Sequence, residues 1–319
     1  MSQFTGNSSA VIRDQVYSQF LVENLAEIML PETMTRDVSD FGDGNTLNIP
    51  TVGSVTLQEA AEGVPLTFNP IDSGTVSLTI NDYPGDAWSV TDDLKEDGYL
   101  VERLMMERTM ESSRAMAEYF ETKFLSTCNS AQTANTANAV NGVAHRIVGG
   151  NANRIELEDF AFMKYAFDKA KVPQSGRIAI VDPSVEYDLN KLYNAGWTVN
   201  NPQFTGIIQE GFAQSHKFIT NIFGFDIWTS NLLPVLTAAE AAAVDRDGVT
   251  DAASIGDVAN IFMCVASDQT KPIMKAWRRM PKIESWRDHE ERKDKVQATA
   301  RFGLGAQRVD TLGVVLTTP

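Results

Sequence analysis

Three arrangements in this chain have residue types and spacings that could do chemistry. Gly303-Leu304-Gly305-Ala306-Gln307-Arg308 begins like the glycine-rich turn that brings backbone amides to a pyrophosphate. Its third glycine position holds Arg308 and no strand–helix–strand unit follows, so no dinucleotide cradle is expected. Asp288-His289-Glu290 sets an imidazole between two carboxylates, the groups of general acid–base catalysis. It lies in the charge-rich run from Arg287 to Lys295, which reads as a solvated face. Asp72, Asp82 and Asp86 offer hard oxygen ligands but lack the spacing of a calcium loop. Cys128 and Cys264 are far apart, no CxxC occurs and the three histidines are isolated, which excludes the usual zinc spacings. The cysteines read as two small buried hydrophobes. With no Walker A sequence and no GxSxG elbow, the chain is expected to be no enzyme and to need no cofactor and no metal.

The elements carrying these residues follow from pattern. At 319 residues the chain can bury a large core, and 43% hydrophobic with 22% charged residues is ordinary globular usage. Residues 1–10 read as a polar arm, and Val11–Leu30 as an amphipathic helix ended by Pro31. Between residues 32 and 90 short β-prone runs alternate with Pro and Gly. The clearest, Thr75 to Ile80, puts Val76, Leu78 and Ile80 on one face. With Thr46–Pro50 it suggests a long two-stranded excursion whose polar tip contains Glu59 and Glu62. From Leu94 to Cys128 there is no proline, and Val101, Leu104, Met105, Thr109, Met116, Tyr119, Phe120 and Phe124 form a stripe. The spacing predicts one rod of about 50 Å at ~1.5 Å per residue. A helix over 158–171, a buried strand over 177–181 and a helix from Pro183 to Leu192 follow. Gly224 marks a hairpin, and strands are expected at Ile261–Ala266, Val296–Phe302 and Val314–Leu316.

The formal charge is −15, which disfavours gripping nucleic acid by phosphate neutralisation. Charge is also segregated. No Lys, Arg or His stands between Arg36 and Lys95, a stretch holding ten acids. The bases gather late, at Arg278, Arg279, Lys282, Arg287 and Arg292 through Arg308. The excursion reads either as a solvated face or as a surface that docks on a basic partner. No apolar run reaches the ~18–20 residues of a membrane helix, and the first residues do not read as a signal peptide, so a cytoplasmic product with no membrane partner is expected.

The order of parts resembles the Hong Kong 97-type fold of tailed-bacteriophage major capsid proteins. Arg177-Ile178-Ala179-Ile180-Val181-Asp182-Pro183 looks like the strand–helix step of that family, and Phe223-Gly224-Phe225 through Leu233-Pro234 is similar to another of its phrases. The ending Thr299 to Gly305 and Gly313 to Leu316 also looks like theirs. The resemblance implies an α+β fold divided into an N-terminal arm (1–45), an E-loop β-hairpin (46–90), a peripheral P-domain (91–176 and 283–308, with a spine helix over 92–128) and an axial A-domain (177–282 and 309–319).

The function implied is a coat protein that self-assembles as hexamers and pentamers into an icosahedral shell around double-stranded DNA, without sequence-specific binding. Scaffolding and portal proteins, with a decoration protein as a further candidate, are the implied partners, and the virion, assembled in the host cytoplasm, is the implied location. The rival is an encapsulin-like nanocompartment shell enclosing cargo enzymes. Some members link an E-loop lysine to a neighbour; residues 37–94 contain none, so monomers on denaturing gels are expected. The short stretch before the first β-excursion implies a separate scaffold. Intersubunit contacts are expected at Glu59, Glu62, Val76, Leu78, Ile80, Arg278 and Arg279.

Overall fold

The computed structural model describes residues 34–40, 44–53, 57–59, 62–63, 73–97, 101–132, 139–194, 221–237 and 253–319. The expected helix Val11–Leu30 lies outside them. In chain order the first strands are β1 (Arg36–Asp37), β2 (Thr46–Val52), β3 (Ser73–Thr79) and β4 (Gly85–Thr91), followed by helices α1 (Asp92–Asp97) and α2 (Val101–Ala131). Then come β5 (Arg146–Val148), α3 (Leu157–Lys169), β6 (Arg177–Val181), α4 (Pro183–Asn194), β7 (Asn221–Ile222) and β8 (Phe225–Thr229). The chain ends with β9 (Val258–Cys264), β10 (Ile273–Asp288), β11 (Lys293–Ala306) and β12 (Leu312–Thr317). The architecture is α+β.

Two sheets and one hairpin organise these elements. The first sheet has four strands in the order β1-β10-β11-β4, and the second has six in the order β5-β12-β9-β6-β8-β7. β2 and β3 pair antiparallel as a separate ribbon, Thr46 opposite Thr79 and Val52 opposite Ser73. The second sheet is covered on both faces, which is why β6, β9 and β12 are buried at every position. Odd and even residues part cleanly. Ala179, Val181, Phe262 and Cys264 meet Phe160, Met163 and Phe167 of α3. Ile178, Ile180, Ile261 and Met263 meet Phe124, Leu125 and Cys128 of α2.

α2 runs 31 residues without a break and extends three residues past the expected end at Cys128. At ~1.5 Å per residue it is about 46 Å long. Its expected junction with the turn beginning at Asp92 passes through residues 98–100, which lie outside the described ones. Its buried stripe is Met105, Thr109, Ser112, Ser113, Met116, Ala117, Phe120, Phe124, Leu125 and Cys128. Its middle lies on the first sheet, with Met116 and Ala117 against Ile283, Val296 and Ala298. The last turns lie on the second sheet. Three hydroxyls in the middle of the stripe would be costly there if unbonded. Thr109 donates to the Met105 carbonyl at 2.8 Å, and the single hydroxyl proton of Ser112 has the Asp86 carboxylate as its nearest acceptor, with the Arg108 carbonyl at 3.0 Å.

β5 pairs within the second sheet and α3 packs on it. Residues 273–282 belong to the first sheet, as the first half of β10. β10 itself was not foreseen, because Arg278, Arg279, Lys282 and Arg287 on its exposed positions and Pro281 in its middle hide the strand period.

Leu125 is 0% exposed at the point where α2 meets the second sheet. Leu125→Ala should lower the unfolding free energy of the unassembled subunit by about 2–5 kcal/mol, read by urea denaturation. A loss under about 1 kcal/mol would show that the helix end can shift to fill the gap and is no fixed tie.

Candidate functional site: the hairpin seat and the exposed surfaces

Gly303 and Gly305 have a structural use in place of the phosphate chemistry their spacing suggests. β11 passes so close to the end of β3 that a Cβ at Gly303 would lie 2.6 Å from the Thr79 carbonyl oxygen and 2.9 Å from Ile80 Cα. A Cβ at Gly305 would meet Leu78 Cδ1 at 2.8 Å. The bare backbone of β11 is therefore a seat for the ribbon β2–β3. Leu78 and Ile80 drop into it, 1% and 2% exposed, against Met274 and Ala276 of β10. Leu47, Ile49 and Val76 pack around the edge, half-buried. Leu78 and Ile80, expected as contacts to a neighbour, have these apolar partners within the same subunit. Val76 is only half-buried and keeps an exposed side.

Beyond the seat the ribbon is polar and open. Glu59 and Glu62 are exposed, and Leu57 beside them is 91% exposed. Part of the acidic charge of this region is neutralised inside the subunit by bases of α2 and β10. Lys123 meets Asp82 at 3.1 Å, Arg108 meets Asp86 at 2.8 Å and Arg287 meets Asp92 at 2.8 Å. The carboxylate of Asp82, through hydrogen bond and charge, raises the pKa of the Lys123 ammonium. Ser112 also donates to Asp86, tying β4 to the middle of α2.

Arg278 and Arg279 sit where the ladder between β10 and β11 slips. The register shifts between Trp277 and Arg279 and again between Arg279 and Lys282, a bulge that holds Pro281. Both arginines are exposed, as is Met280. Arg279 donates to the Tyr83 hydroxyl at 3.2 Å and to Thr299 Oγ1 at 3.3 Å, and lies 6.0 Å from the Tyr83 ring centroid. Directly across the ladder stands Arg301, also exposed. Like charges facing each other across strands repel, and among the described residues neither Arg279 nor Arg301 has an ion-pair partner.

The other chemical candidates resolve into structure. Asp288 accepts from the backbone amides of Glu290 at 2.9 Å and Glu291 at 3.2 Å, and from Lys295 Nζ at 2.6 Å, which closes the β10–β11 turn. The Lys295 hydrogen bond, then the Glu291 amide, hold its carboxyl down at about 2. A depressed carboxylate stabilises the fold above its unfolded value of 3.8 and loses that contribution as pH falls through about 2. Cys128 and Cys264 are buried, and desolvation pushes the Cys128 thiol far up, away from nucleophilic or metal-binding use. His145 is buried beside Phe167 and 3.2 Å from the Val143 carbonyl, with its pKa lowered by desolvation. Among the described residues no three of His, Cys, Asp or Glu converge as a metal site, and no helix is long and apolar enough to cross a membrane. Of the three aspartates weighed for calcium, Asp72 lies outside the described residues.

The family model of the phage capsid protein matches residues 73–317. No curated protein matches the sequence. Among solved structures, the capsid of cyanophage P-SCSP1u is 17% identical with a TM-score of 0.62, covering 90% of this chain and 88% of that one. The mature capsid of bacteriophage PhiM1 is 13% identical with a TM-score of 0.65, covering 90% of this chain and 86% of the other. A virus-like particle from Pyrococcus furiosus is 8% identical with a TM-score of 0.54, covering 95% of this chain and 99% of that one. At such identities these structures speak for the fold, and it is the Hong Kong 97-type fold expected from the order of elements.

The seat predicts its own test. Gly303→Ala places a methyl against backbone that cannot retreat without moving β3. It should cost about 1–3 kcal/mol in stability of the unassembled subunit and speed proteolysis of residues 46–80. Wild-type protease resistance in the variant would show that the ribbon is not fastened at Gly303.

Proposed function

The chain belongs to the phage capsid protein family, and from that premise we propose that it is the major capsid protein of a tailed bacteriophage. Copies close as hexamers and pentamers into an icosahedral shell around double-stranded DNA. The observation that carries this reading is the family match across residues 73–317, which takes in the whole second sheet, β4, β10 and β11 of the first, the tie helix α2 and the β3 strand of the seated ribbon. The protein is structural in the virion and performs no catalysis. It assembles in the host cytoplasm with a scaffolding and a portal protein, and a decoration protein is a further candidate partner. A net charge of −15 lets DNA fill the shell without adhering. The nanocompartment reading ranks second, because the matching family is that of phage capsids. Negative-stain electron microscopy of the purified chain should show closed shells or ring-shaped capsomers. Discrete monomers at high protein concentration, with no larger species, would overturn the shell reading.

In that shell the ribbon β2–β3 serves as the E-loop. Its exposed tip, with Glu59 and Glu62, docks on the Arg278–Arg279 bulge of a neighbouring copy, and Val76 lends an apolar edge. Two observations support this pairing: the unneutralised Arg279–Arg301 pair, and the exposure of both glutamates. Exposed ion pairs contribute only ~0.2–1 kcal/mol each, so their effect is on register and assembly rate. Glu59→Lys with Glu62→Lys should slow assembly severalfold and leave the subunit folded. Adding Arg278→Glu and Arg279→Glu should restore part of the rate. Assembly of the first variant at the normal rate and salt dependence would reduce the tip's charge to a solvated face. With no lysine in residues 37–94, denaturing gels of shells should show monomers alone.

A further inference from the structure

Of the six described non-glycine residues at positive φ, Phe223 is the one with a large apolar side chain. It stands at φ 50° and Gly224 after it at φ 91°, in the two-residue turn between β7 and β8. Two consecutive left-handed residues make the type I′ turn whose twist suits a hairpin, and the residue that relieves its first position is asparagine. A phenylalanine there is strained. The other parts of the turn are optimal. Asn221 Oδ1 accepts from the Gly224 amide at 3.0 Å, and Asn221 Nδ2 donates to Asp226 Oδ1 at 2.8 Å.

The Phe223 ring is 38% exposed, and among the described residues it stacks on no other ring. Its flanks are the opposite: Ile222 is 3% and Phe225 0% exposed, both set in the core between α3 and the second sheet. Phe225 lies edge-on to Phe167 and Phe262. The hairpin root is thus locked, and the tip carries one aromatic ring at β7, the last strand of the sheet among the described residues. A rigid, presented aromatic is the kind of side chain that anchors interfaces at low entropic cost.

We infer that Phe223 is an intersubunit anchor that inserts its ring into an apolar recess of the adjacent copy of this chain in the assembled ring. This rests on the shell reading, which makes a second copy the partner each subunit must meet. In a cyclic arrangement the contact is heterologous, so every copy gives one ring and receives one. The strain is retained in the free subunit because the ring is used only after assembly.

Two variants of the full chain test this. Phe223→Asn removes the ring and relieves the turn; Phe223→Tyr keeps ring and backbone strain alike. The Asn variant should raise the thermal midpoint of the unassembled subunit by about 1–4 °C while lowering the assembled fraction about tenfold, read by sedimentation velocity and electron microscopy. The Tyr variant should match the wild type in both. An Asn variant that is more stable and assembles normally would overturn the anchor. So would one with a lowered midpoint, which would mean that another part of the same chain covers the ring. Wild-type protein that forms neither rings nor shells would remove the shell reading and the anchor together, whereas normal wild-type shells with a normally assembling Asn variant would remove the anchor alone.

Discussion

Everything in this subunit hangs on one helix being buried against two different sheets at successive stretches of its length. Met116 and Ala117 of α2 lie on the first sheet, and Phe124, Leu125 and Cys128 lie on the second. An α-helix is stiff over this length, so fixing its two halves fixes the two sheets relative to each other. The helix in turn depends on them, since isolated helicity is marginal and most of it comes from packing an apolar face. Its polar middle is compatible with close approach because Thr109 gives its hydroxyl proton to the helix's own Met105 carbonyl and Ser112 gives its proton to the Asp86 carboxylate. Chain connectivity reinforces the tie. Met34 joins the second cluster beside Phe124 and Leu125, and two residues later β1 pairs with β10 of the first sheet.

The same arrangement sorts the charges. α2 presents Arg108 and Lys123 toward β4 and its approach, and there the acidic stretch gives up Asp86 and Asp82 to ion pairs within the subunit. Arg287 does the same for Asp92. The charge segregation read from sequence is therefore spent in two ways. The carboxylates nearest the helix neutralise their own chain, and those at the ribbon tip face solvent. On the basic side Lys282 and Lys295 have partners in Glu284 and Asp288, whereas the bulge keeps Arg279 opposite Arg301. Among the described residues, the glutamates at the tip are exposed and neither Arg279 nor Arg301 has an ion-pair partner.

How much was legible in the sequence follows from which residues carry a period. Arg177–Val181 and the helix after it are bounded by Gly176, Asp182 and Pro183, and both were readable to within a residue or two at their ends. The long helix was readable because nothing interrupts its stripe, although Ser112 and Ser113 gave no sign of being buried in it. β10 was not readable: one face is solvated and basic, and Pro281 interrupts it where the strand bulges. The motif beginning at Gly303 was readable only as a close backbone approach. Whether the approaching group is a pyrophosphate or another strand is a tertiary fact, decided here by Thr79 and Ile80. Leu78 and Ile80 were rightly placed on one face, but which body covers that face cannot be read from alternation, which records burial and not the identity of the partner.

A subunit whose core is complete within itself has consequences for a shell. Among the described residues, both faces of the second sheet and the helix-facing side of the first are covered within the subunit, and so are Leu78 and Ile80 of the ribbon. The large apolar side chains that stay exposed there are scattered, among them Leu57, Met106, Met280, Trp286 and Phe223. Each such contact is weak alone, and interfaces of a standard ~1,600 Å² vary widely in affinity according to a few anchors rather than area. Weak contacts let a wrongly placed copy leave. Closing a ring changes the balance, because the last copy engages two neighbours at once and the second engagement is intramolecular. Irreversibility then belongs to the closed lattice and not to the pair, so a chain with no covalent cross-linking lysine in its ribbon can still hold a durable shell.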